Sequence, residues 1–74
     1  MMTNVYVVMM NYYEENILLG VFSTRELAES YIKTEYTSYH YNKTFDTWDG
    51  TAQYDISTID ITEVAVDEGV IMND

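Results

Sequence analysis

The chain has 74 residues, 47% of them hydrophobic, and 13 acidic residues against three Lys and Arg give a formal net charge of −10 at pH 7. This length holds one small core, expected as a single domain over 1–74, and the apolar content argues against disorder despite the charge. The absence of cysteine excludes disulfides, thiolate metal sites and a cysteine nucleophile, while the acidic surplus repels nucleic acid and anionic membranes and favours basic proteins.

In chain order, MMTNVYVVMM carries no basic stretch ahead of its apolar run, and that run is far too short to span a bilayer. A cytoplasmic location is therefore the expectation. Within it, Val5 to Met10 (VYVVMM) reads as a strand apolar on both faces, which suits a central position. The polar stretch from Asn11 to Asn16 predicts a turn, and Ile17 to Phe22 (ILLGVF) a second strand paired with the first as a hairpin. Gly20 inside it marks a bulge or the close approach of another element. Ser23 followed by Glu26 has the spacing of a capping box, with Phe22 and Leu27 placed as a hydrophobic staple. From there Leu27, Ala28, Tyr31 and Ile32 share one helical face, and Glu29 with Lys33 form an i,i+4 pair.

After Tyr36 the pattern becomes extended. Asp49-Gly50 is a hairpin signal that predicts strands at 43–48 and 51–56. In the tail, Ile59 and Ile61 alternate in one phase and Val64 and Val66 in the other, which predicts a bulge near Thr62 or two short strands. Residues 69–74 are expected to fray. The expected class is α+β: an antiparallel sheet built from a β-hairpin, one α-helix and further strands, with the helix packed on one face.

VYVV near the start, GVFST leading into A-x-x-Y-I, and E-V-A-V-D-E near the end resemble a family of small uncharacterised proteins encoded by phages and prophages of low-GC Gram-positive bacteria. The family brings no activity and no functional residue. What the resemblance implies is a setting, the cytoplasm of a host cell, in which small accessory proteins act on host machinery.

Little in the chain reads as chemistry. His40 is the single histidine and has no cysteine or second histidine to share a metal. Asp46 to Gly50 fails as a calcium loop because Trp48 stands where Asp or Asn is needed and Gly50 falls one position early. Glu14-Glu15 and Asp67-Glu68 are adjacent pairs that a strand would point to opposite faces. Asn42-Lys43-Thr44 matches a glycosylation sequon by chance. The reading is of a non-enzyme without cofactor or metal. The tyrosines, eight in all, are more than a core this small needs; half could pack and the rest snorkel, or they could anchor an interface.

The leading expectation is therefore a non-catalytic acidic binding protein that inhibits a basic host protein handling nucleic acid or serving defence. Carboxylates would stand in for phosphates and aromatic rings for bases. The candidate contacts are Tyr39, Tyr41, Asp46, Trp48, Asp49, Asp55 and Asp60. The alternative is a structural or assembly module that self-associates, as a homodimer for example, through a sheet edge or an aromatic patch.

Overall fold

The structure, a computed structural model, describes residues 2–52 and 55–67. Among these, five strands and one helix follow in the order β1 (Met2–Tyr12), β2 (Glu15–Phe22), α1 (Arg25–Glu35), β3 (His40–Asn42), β4 (Thr47–Ala52) and β5 (Asp55–Asp67). The strands form one antiparallel sheet in the order β2-β1-β5-β4-β3. The doubly apolar β1 stands inside the sheet, between β2 and β5. The expected fraying at 69–74 lies outside the described residues.

β1 and β2 form the expected hairpin, with Tyr12 opposite Glu15 and Tyr13 in the left-handed region at φ 58. Val8 pairs with Gly20 and Met9 with Leu18, so Leu19 is the extra residue of a bulge beside the glycine. The close approach is present as well, since a Cβ on Gly20 would lie 2.9 Å from the Phe22 ring.

The helix starts one residue later than the capping-box spacing predicts. Thr24, not Ser23, is the N-cap, and its hydroxyl accepts from the Leu27 N–H at 3.1 Å. Moving the cap by one residue removes the Phe22–Leu27 staple. Leu27 is exposed, and Phe22 instead meets the Tyr31 ring at 5.2 Å. Glu29 accepts from Arg25 at 2.9 Å, an i,i+4 pair one turn earlier than the expected partner Lys33. Thr24→Ala is expected to cost about 1 kcal/mol in urea unfolding, and Ser23→Ala no more than a few tenths. The reverse order, with the larger loss at Ser23, would place the cap there instead.

Two strand expectations are corrected. Asp49-Gly50 is not a turn: β4 runs straight through it, and Gly50 has no positive φ. Instead the Tyr39 ring occupies the space a Cβ would take, 2.6 Å from that position, so the glycine serves ring packing rather than chain reversal. The reversal comes earlier, between Asn42 and Thr47, where Asn42 Oδ1 accepts from the Thr44 N–H at 3.0 Å and Asp46 takes φ 54. Phe45, expected in a strand, stands exposed in that turn.

The tail has neither bulge nor break. β5 pairs with β1 in one register from Met2↔Asp67 to Tyr12↔Ser57. The phase change from Ile59 and Ile61 to Val64 and Val66 therefore moves the apolar residues from one face of the sheet to the other.

Val8 and Met10 of β1 stand opposite Ile61 and Ile59 of β5, and Trp48 of β4 stands opposite Ile59, so all five share the inner face. They form one buried cluster with Ala28 and Ile32 of the helix. Tyr6, Leu19, Phe22, Tyr31, Tyr36 and Tyr39 pack around it. Among the described residues Ser57 is the buried polar one, and its hydroxyl is hydrogen-bonded to that of Tyr39.

Candidate functional site

The candidate residues split between the two faces of the sheet. Trp48, expected as an exposed anchor, is 4% exposed and belongs to the core. Its burial follows from its place on β4, opposite Ile59 and between the sheet centre and β3. Tyr41 covers it from β3, with ring centroids 4.8 Å apart, and remains exposed itself. Tyr39 is half-buried above Gly50. A groove of about 260 Å³ runs past these rings between the end of α1 and β3, lined by Lys33, Tyr36, His40 and Tyr41 among others.

Asp46 is already engaged. Its Oδ1 accepts from Arg25 Nη2 at 2.8 Å and from the Tyr41 hydroxyl at 2.7 Å. The exposed ion pair adds little stability, but it puts a cation beside this carboxylate. The hydrogen bond to Asp46 is the main cause that raises the Tyr41 phenol above the ordinary tyrosine value. Asp55 likewise accepts from the Tyr13 hydroxyl at 2.6 Å, and that bond is the main cause raising the Tyr13 phenol.

Asp49 and Asp60 lie on the outer face. Asp60 stands opposite Met9 and Asp49 opposite Thr58, and neutral donors orient both. Asn11 Nδ2 donates to Asp60 at 2.9 Å and to Thr58 Oγ1 at 3.3 Å. Asn42 Nδ2 donates to Asp49 at 2.9 Å, and Thr47 Oγ1 donates at 2.7 Å. These two donors, Asn42 first, hold the Asp49 carboxyl below its ordinary value. Both carboxylates are thus aimed by uncharged groups. Of the three Lys and Arg of the chain, Arg25 and Lys33 lie on α1 and Lys43 in the β3–β4 turn. No strand carries one, and His40 stands opposite Asp49.

Beside this polar half the outer face is aliphatic. Val5 pairs with Val64, Val7 with Val21, and Met9 with Leu18. The β2 bulge makes this possible: with Leu19 as the extra residue, Leu18 and Val21 fall on the same face. Leu18 is 59% exposed, Val21 54% and Val64 39%. Sequence reasoning missed this patch, although the phase change in residues 59–66 was its visible signal. Asn11, Asn42 and Thr47, which donate to the carboxylates, had no signal at all, because isolated polar residues read only as turn or solvated surface.

Among the described residues no group of three or more His, Asp or Glu side chains is arranged to hold a metal ion, and no helix is long and apolar enough to cross a membrane. No curated protein and no solved structure matches the chain. A family model described as "Domain of unknown function (DUF7336)" matches residues 3–71, most of the chain, and the chain therefore belongs to that family.

Proposed function

We propose that this chain is a non-catalytic binding protein in which α1 covers one face of the sheet and the opposite face takes a basic partner. The observation that carries this is the outer face itself. Asp49 and Asp60 are aimed by amide and hydroxyl donors, no Lys or Arg stands on any strand, and an aliphatic patch adjoins them. The ordering of these carboxylates lowers the entropy cost of pairing them with a cationic surface.

In the fuller form of this reading the chain is phage-encoded and acts in the host cytoplasm. It blocks a nucleic-acid-handling or defence protein by presenting carboxylates where nucleic acid presents phosphates. Asp49 and Asp60 carry that role better than Asp46, which Arg25 already pairs, or Asp55, which shares its hydrogen bond with Tyr13. Such binding weakens steeply with salt. The test is retention of a basic protein from nuclease-treated host lysate at low salt, followed by competition between the chain and a DNA oligonucleotide for that protein. Release at high salt together with competition supports the reading; binding indifferent to salt rejects it.

The second reading, a self-associating structural or assembly module, is favoured by the same aliphatic patch. The sheet edges favour it less. β3 has three residues, and β2 is interrupted by its bulge and begins at Glu15, devices that discourage edge pairing. A mass above the monomer in light scattering, with no basic protein retained, would support this module over the inhibitor.

A further inference from the structure

The area and charge of the outer face also restrict what can cover it. The part of the outer face that holds the aliphatic patch spans three strands, β2, β1 and β5, over the five residues from Val5 to Met9 along β1, and on β5 it takes in Thr62 and Asp60 beside Val64. At about 4.8 Å between strands and about 3.4 Å per residue, its footprint is about 14 by 17 Å, or about 250 Å². A stable protein–protein interface takes about 800 Å² from each partner. A second copy seated patch on patch would fall well short of that. Extending the overlap across the whole face would lay Asp49 and Asp60 of each copy on the valines of the other, or on like charges. Neither arrangement sets a Lys or Arg against the carboxylates, since no strand carries one. The face therefore calls for an occupant that is aliphatic on one strip and cationic beside it. The footprint fits one α-helix, about 10 Å across with side chains and about 18 Å long for 12 residues.

We infer that the outer face, Val5, Val7, Met9, Leu18, Val21 and Val64 flanked by Asp60 and Asp49, docks a cationic amphipathic helix of the partner protein. The inference rests on the binding reading above and names the element of the partner that is bound. The partner helix would lie on the sheet with its apolar stripe on the valines and its Lys or Arg residues over the two carboxylates. Together with α1 it would make a helix–sheet–helix sandwich.

A synthetic helical peptide of about 14 residues tests this, with Leu at i, i+3, i+4 and i+7 and Lys elsewhere. Two controls accompany it: the same pattern with Glu in place of Lys, and the same Leu/Lys composition in scrambled order. The readout is chemical-shift perturbation of the ¹⁵N-labelled chain. Saturable shifts centred on Val7, Met9, Leu18, Val21 and Asp60 are expected for the patterned Leu/Lys peptide alone. Leu18→Thr with Val21→Thr, both at exposed strand positions, should weaken that binding about tenfold. Raising salt from about 50 to about 500 mM should weaken it further.

Equal binding of the scrambled peptide, or shifts centred on Tyr41 and Lys33, would overturn the docked helix while leaving a basic partner in place. If neither cationic peptide binds, both the helix and the wider reading fail. Concentration-dependent shifts on the outer face without peptide would overturn the helix in favour of a second copy.

Discussion

Replacing Trp48 with alanine is expected to lower the unfolding free energy by about 3–5 kcal/mol, the range for truncating a buried large aromatic. A chain of this length has about 4–11 kcal/mol in total, so the variant should stand close to unfolding. The cause is specific. Trp48 faces Ile59 across the strand pair, belongs to the cluster with Ala28 and Ile32, and supports the Tyr41 ring from below. Far-UV circular dichroism in urea measures the effect without relying on the lost indole. Trp48→Phe should retain a ring under Tyr41 and lose less. A loss below about 1 kcal/mol for alanine would show that the indole is not a core residue and would reopen its role as an interface anchor.

Gly50→Ala is the second large effect, with an expected loss of about 1–3 kcal/mol, because the added methyl enters the space of the Tyr39 ring. The prediction separates two explanations of the same glycine. If ring contact is the cause, most of the penalty should vanish in a Tyr39→Ala background, leaving a coupling between the two sites. If Asp49-Gly50 were a turn needing positive φ, the penalty would persist without the ring. Urea unfolding of the two single variants and the double variant decides it. The Tyr39→Ala change also strips Ser57 of its hydroxyl partner, so the Gly50→Ala penalty in that background is taken relative to the Tyr39→Ala single variant.

Most of the local structure was legible. The first hairpin, the bulge beside Gly20, the amphipathic helix and the extended second half all follow from periodicity and glycine placement. The errors came where two local rules compete or where a neighbour overrides one. Ser23 and Thr24 are both good caps by residue type, and the structure places the second at the extended position before the helix. Asp49-Gly50 has turn chemistry, but a ring arriving from Tyr39, far along the backbone path, takes the space above the glycine. The candidate acidic residues were legible as charges and not as neighbours. Asp46 and Asp49 are close in sequence, yet one pairs with Arg25 and Tyr41 while the other faces His40 and Thr58 on the outer face.

By itself, then, the sequence determined the charge, the absence of thiol chemistry, the helix and the strand-forming segments, because these depend on residue type and on spacings within a few positions. It also contained the phase change of β5, but periodicity reports only that side chains change face. What stands on either face depends on which strands pair and in what register, and that is fixed by contacts between residues far apart in the chain. Only the tertiary structure could show that Ile59 and Ile61 enter the core while Val64 joins Val5, Val7 and Val21 on an exposed face beside two oriented carboxylates.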